Sequence, residues 1–142
     1  MDKVLLDTNI ILDYLSATRP KHRDAVDLLE GIWETRTLEP VISVSSLKDA
    51  YYILCRKYGD EALIRERLCA FAEVVEPLDL TREIAEAVFA SDEPDFEDGL
   101  IRVTAERCHA RAIVTRDASA FANSAVPHMD ARAFCWEMDG IE

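Results

Sequence analysis

Val4-Leu5-Leu6-Asp7-Thr8-Asn9 sets a short apolar run against an abrupt polar stop near the start of the chain. An unbroken apolar run that ends in turn formers reads as a strand buried on both faces, as strands of parallel sheets are. The pattern recurs. Pro40-Val41-Ile42-Ser43-Val44 is expected as a second strand, Val74-Val75-Glu76-Pro77-Leu78 as a third and Ala112-Ile113-Val114-Thr115 as a fourth. A fifth is expected over Val126 to Met129.

Helical periodicity fills the intervals. Ile10 to Leu15 opens a helix, and Pro20 begins another with Ala25, Val26, Leu28, Leu29, Ile32 and Trp33 on a wide apolar face. Ser46 reads as the cap of a helix that carries Tyr51 to Leu54 and stops at Gly59. A helix from Asp60 puts Leu63, Ile64, Leu68 and Phe71 on its buried side, and Thr81 caps Ile84 to Phe89. Phe96 to His109 and Phe134 to Met138 complete the set, with Phe96, Leu100 and Ile101 expected to anchor the former. Strands alternating with helices imply an α/β fold, with a mostly parallel central sheet of four to five strands and helices on both faces. At 142 residues a single domain, 1–142, is expected, long enough to bury a core.

No stretch approaches the roughly 18 to 20 apolar residues of a membrane span, and the N-terminus lacks a signal-peptide pattern, so a cytoplasmic protein is expected. Cys55, Cys69, Cys108 and Cys135 form no C-x-x-C pair and read as small buried hydrophobes. The net charge of −12 opposes a simple nucleic-acid binder, although Arg19-Pro20-Lys21-His22-Arg23 and the arginines 102, 107, 111 and 116 offer local basic patches. His22, His109 and His128 are isolated, no G-x-S-x-G elbow occurs, and neither glycine-rich nucleotide cradle is present.

Acids remain as the candidate chemistry. Asp7 and Asp117 follow apolar strands at the sheet edge where α/β proteins bind ligands. Asp98 opens a helix with Asp95 three residues before it on the same face. Asp49 follows Ser46 at capping-box spacing, so a helix cap competes there with a functional reading. Caps also compete at Asp7, Asp95 and Asp117. Hard divalent cations favour several carboxylates supplemented by water and substrate phosphate, so Asp7, Asp49, Asp98 and Asp117 point to metal-assisted phosphodiester hydrolysis. Asn9, Asp95 and Thr115 are auxiliary candidates, and Arg116 is the candidate contact to substrate phosphate.

In these motifs the chain resembles the PIN domain family, in its bacterial toxin–antitoxin branch. The resemblance runs through Val4 to Asn9, Ser43 to Leu54, Asp95 to Leu100 and Ile113 to Asp117. It implies a three-layer PIN-like fold and a nuclease for single-stranded RNA using Mg²⁺ or Mn²⁺. Asp7, Asp98 and Asp117 would be the first, third and fourth acids, and Asp49 the second. An antitoxin protein and a homodimer are the partners it implies. The chain departs from the branch at Ala120, where an acid is usual, at Asp117, where Asn is common, and at Gly99, where a helix former is usual. The rival expectation is a PIN-like protein of weak catalysis that acts by binding a partner. A phosphatase is a further rival, but no D-x-D follows the first strand.

Overall fold

The computed structural model describes residues 1–140. Strand β1 (Asp2–Leu6) lies at the centre of a five-stranded sheet with β2 (Leu38–Ser43), β3 (Glu76–Leu78), β4 (Ala112–Val114) and β5 (His128–Met129), in the order β3-β2-β1-β4-β5. Every pairing is parallel, and Leu5 stands level with Val41 on one side and Ile113 on the other. The connections are α1 (Thr8–Leu15), α2 (His22–Thr35), α3 (Val44–Tyr58), α4 (Glu61–Val74), α5 (Arg82–Phe89), α6 (Phe96–Arg107) and α7 (Ala131–Met138).

Strand side chains alternate between two cores. Val4, Leu6, Ile42, Ala112 and Val114 pack on one face with Ile11, Leu28, Leu54, Phe71 and Phe134 from α1, α2, α3, α4 and α7. Leu5, Val41 and Ile113 pack on the other against Ile101 and Ala105 of α6 and against Phe121. Leu5 and Leu6 are wholly buried, each worth about 1.5–3 kcal/mol of transfer free energy. Burial on both faces explains the unbroken apolar runs. The result is the expected α/β architecture, with the sheet parallel throughout.

Several boundaries differ from the sequence reading. Ser43, the last residue of β2, caps α3 by accepting from the Ser45 amide at 3.3 Å. Val44 is therefore helical and exposed, and Ser46 lies inside the first turn, buried. Asp49 falls one turn further in and does not form the capping box. Helix α2 starts at His22 rather than Pro20, α7 starts at Ala131, and Val74 ends α4 instead of entering a strand. Trp33 and Leu63 are exposed, as is Phe96, which stacks on Phe89 with ring centroids 5.0 Å apart. Among the cysteines, Cys69 is exposed while Cys135 is buried.

Gly99 of α6 faces Val88 of α5 and Glu93 of the loop between them. A Cβ there would stand 2.6 Å from Val88 Cγ1 and 2.7 Å from Glu93 Cγ. That crowding accounts for a glycine in the first turns of α6, where propensity alone favours alanine by about 1 kcal/mol. Gly99→Ala is expected to destabilise the protein by about 1–3 kcal/mol in urea unfolding, because overpacking outweighs propensity. Stabilisation by the substitution would contradict this packing account.

Candidate active site

Strand order reverses between β1 and β4, since the chain builds outward from β1 to β2 and β3 and then returns to β4 on the other side. Ligands of open α/β sheets bind at such a switch point, beyond the carboxyl ends of the strands. Asp7 and Thr115 sit there, each one residue past its strand. The Asp7 amide donates to the Val114 carbonyl at 3.0 Å, extending the β1–β4 pairing into the site.

Asp7 is the N-cap of α1 and has further partners. Its Oδ1 accepts from the Thr8 amide at 2.8 Å. Its Oδ2 accepts from Thr115 Oγ1 at 2.9 Å and from Asn9 Nδ2 at 3.4 Å. Thr115 Oγ1 also accepts from the Asp117 amide at 3.0 Å, and Asn9 Oδ1 accepts from the Arg116 amide at 3.1 Å. The auxiliary candidates Asn9 and Thr115 thus tie Asp7 to the segment that carries Asp117. Thr115 is buried, while Asp7 and Asn9 are half-buried.

Asp98 arrives from the opposite sheet face, in the first turn of α6. Asp95 is the cap of that helix and accepts from the Asp98 amide at 3.0 Å. Asp117 caps the short 3-10 helix Ala118–Phe121, accepting from Ser119 Oγ at 2.9 Å and the Ala120 amide at 3.3 Å. Ala120, where the family resemblance leads one to expect an acid, therefore contributes its amide to Asp117. Asp95, Asp98, Asp117 and Arg102 line a cleft of about 190 Å³. A larger cavity of about 620 Å³ lies at the amino ends of β2 and β3, beside Met1, Pro40 and Pro77, away from these acids.

The carboxylates act on one another. Burial pushes the Asp7 carboxyl above its ordinary range, the Thr115 and Thr8 hydrogen bonds pull it down, and the charges of Asp117 and Asp49 raise it again. Asp98 is pushed from the ordinary 3.8 to about 6 by burial, then by the charges of Asp95, Asp7, Asp117 and Glu93. Asp49, on α3, enters the cluster through its charge on Asp7. Among the described residues, none of Asp7, Asp49, Asp98 and Asp117 forms an ion pair. Such a set of oxygen donors without a cation fits a hard divalent ion. No group of three or more His, Cys, Asp or Glu among the described residues is arranged to hold a metal ion by itself.

Two participants were not singled out from the sequence. Glu93, in the loop before α6, acts on Asp98 and holds Arg102 at 2.6 Å. Asp13 of α1 is buried and binds Arg116 Nε at 2.7 Å, so the expected phosphate contact is anchored by a carboxylate. The signal for Asp13 was present: one acid within the apolar run Ile10 to Leu15. The Glu93–Arg102 pair spans a loop and carries no helical spacing to reveal it.

A family model for the PIN domain matches residues 3–119. Among solved structures, FitAcB from Neisseria gonorrhoeae is similar with a TM-score of 0.68 at 20% identity, covering 91% of this chain and 98% of that one. The sarcin–ricin loop cleaving toxin VapC20 of Mycobacterium tuberculosis gives 0.64 at 18% identity, covering 84% and 93%. A toxin–antitoxin complex from Klebsiella pneumoniae gives 0.61 at 24% identity, covering 84% and 91%. No curated protein matches the chain by sequence.

The raised pKa of Asp98 has a definite sign in stability. The folded protein holds this proton more tightly than the unfolded chain, so the stabilisation is full below about pH 4 and is lost as pH rises through about 6. In metal-free buffer, the Tm of the native protein is expected to fall relative to that of Asp98→Asn between about pH 4 and pH 7. A difference in Tm that stays constant across this window would contradict the crowding of charge at Asp98.

Proposed function

The chain belongs to the PIN domain family, and on that premise we propose that it is an endoribonuclease dependent on Mg²⁺ or Mn²⁺. It hydrolyses phosphodiester bonds of single-stranded RNA and is the toxin of a toxin–antitoxin pair. The observation that carries this reading is the approach of carboxylates from four distant segments with no paired cation: the charges of Asp117 and Asp49 act on Asp7, and those of Asp7 and Asp117 on Asp98. Similarity to a sarcin–ricin loop cleaving toxin and to a toxin–antitoxin complex supports the same assignment.

Each residue has a part. Asp7, fixed by Thr115 and Asn9, is the rigid oxygen ligand of the cluster. Asp98 and Asp49 bring carboxylates from opposite sheet faces, and Asp117 closes the set while its own cap bonds hold it. Asp98 carries a proton below about pH 6 and must release it before it can ligate, so ion uptake strengthens as pH rises. A divalent ion, when bound, compensates the clustered negative charge, acidifies water and stabilises charge on the reacting phosphate. No covalent intermediate on the protein is required. The partners that follow are an antitoxin protein and a second copy of the chain.

The net charge of −12 favours the rival, a protein of weak catalysis that acts by binding a partner. Cleavage of end-labelled single-stranded RNA decides between them. The native protein is expected to cut in Mg²⁺ or Mn²⁺ and to stop in EDTA. Asp7→Asn and Asp98→Asn are each expected to slow cleavage by about 100-fold or more, as loss of a charge-stabilising group at a reacting centre commonly does. RNA left intact by folded native protein in both ions would sink the nuclease and leave the partner binder.

A further inference from the structure

One buried charge stands outside the four aspartates of the hydrolase reading. Asp13 is 1% exposed, yet its carboxylate receives two arginines: Arg19 Nε at 2.9 Å, and Arg116 through Nε at 2.7 Å and Nη2 at 3.3 Å. One carboxylate cannot neutralise two guanidiniums, so the cluster retains positive charge. Next to it Asp24 and Asp27 are shared among Lys21, Arg23 and Arg132, and Asp130 lines the same cleft as Asp13, Lys21 and Arg116. Five cations thus stand among four carboxylates, in a chain whose net charge is −12.

Both arginines keep an open edge. Their side chains are 24% and 36% exposed, and among the described residues neither guanidinium donates to any acceptor except Asp13. Their position relative to the aspartates is set by the backbone. Arg116 lies between Thr115 and Asp117, and its amide is held by Asn9. Asp13 is six residues along the chain from Asp7, about 9 Å at the helical rise of 1.5 Å per residue. The planar guanidinium suits paired contacts to phosphate, and a fixed one loses less freedom on binding.

We propose that Arg19 and Arg116, held side by side on the buried Asp13 carboxylate, form a subsite for a backbone phosphate of single-stranded RNA beside the aspartate cluster. The subsite rests on the RNA-hydrolase reading and gives it the cationic contact that an acidic protein needs to hold a polyanion. Asp13 is a positioning residue: it touches no substrate and aims the two guanidiniums.

The test is binding of a fluorescein-labelled oligouridylate, followed by anisotropy over a salt series, in the full chain carrying Asp98→Asn to block cleavage. Arg19→Gln and Arg116→Gln are each expected to weaken binding about tenfold, as loss of a charged hydrogen bond does. Each should also lower the salt slope by about 0.7, the value for one phosphate on a single strand. Asp13→Asn separates a clamp from a diffuse basic patch, because it adds net positive charge. A patch would bind RNA more tightly in that variant, whereas the clamp binds more weakly. Unchanged salt slopes in both arginine variants, or tighter binding in folded Asp13→Asn, overturns the proposal. Should Asp13→Asn fail to fold by circular dichroism, Arg19→Gln decides, since Arg116 still neutralises Asp13 in it. Absence of RNA binding by the parent chain also overturns the subsite, while a Mn²⁺ titration of the aspartates judges the hydrolase reading separately.

Discussion

The hydrogen bond from Thr115 Oγ1 to Asp7 Oδ2, 2.9 Å long, joins residues 108 positions apart and is the contact around which the site is organised. It exists because β1 and β4 pair in parallel and end level with each other, Leu6 beside Val114. A bond to a charged acceptor is worth about 1.5–3 kcal/mol net, and here it offsets part of the cost of burying Asp7. The same hydroxyl accepts from the Asp117 amide, so one buried threonine sets the spacing of two acids. Without the central strand pairing, neither acid would have a defined place.

Against that bond stands the repulsion of the other carboxylates. A sequence selected only for stability would place a lysine or arginine among Asp7, Asp49, Asp98 and Asp117. The chain instead spends its nearby cations elsewhere: Arg102 is held by Glu93 and Glu106, and Arg116 by Asp13. Local conflict of this kind is expected at functional sites, where the stable choice and the useful one differ. The rest of the fold supplies the compensation, through two cores on either side of a sheet whose central residues are fully buried.

Much of this was legible in the sequence, for a physical reason. A parallel strand buried on both faces must be uniformly apolar and must stop at a polar turn, so Val4 to Leu6 and Ala112 to Val114 announced themselves and located Asp7 and Asp117 at the sheet edge. What escaped depended on tertiary context. Ser43, Ser45 and Ser46 are equally able to cap a helix, and only the end of β2 selects Ser43. Phe96 has the composition of a core residue but lies on the outer surface, where it stacks on Phe89. Asp13 needed the fold to bring Arg19 and Arg116 to it. Gly99 gave no hint of Val88 until α5 and α6 were placed together.

The central claim is that the four aspartates form one divalent-cation site with Asp98 as a ligand. Its most direct test is a calorimetric titration of Mn²⁺ into metal-free native protein and into Asp98→Asn at neutral pH. The account predicts saturable binding to the native protein, with proton release, and a sharp loss of affinity in the variant. Folded native protein that takes up no Mn²⁺, or a variant that binds it equally well, would contradict the site.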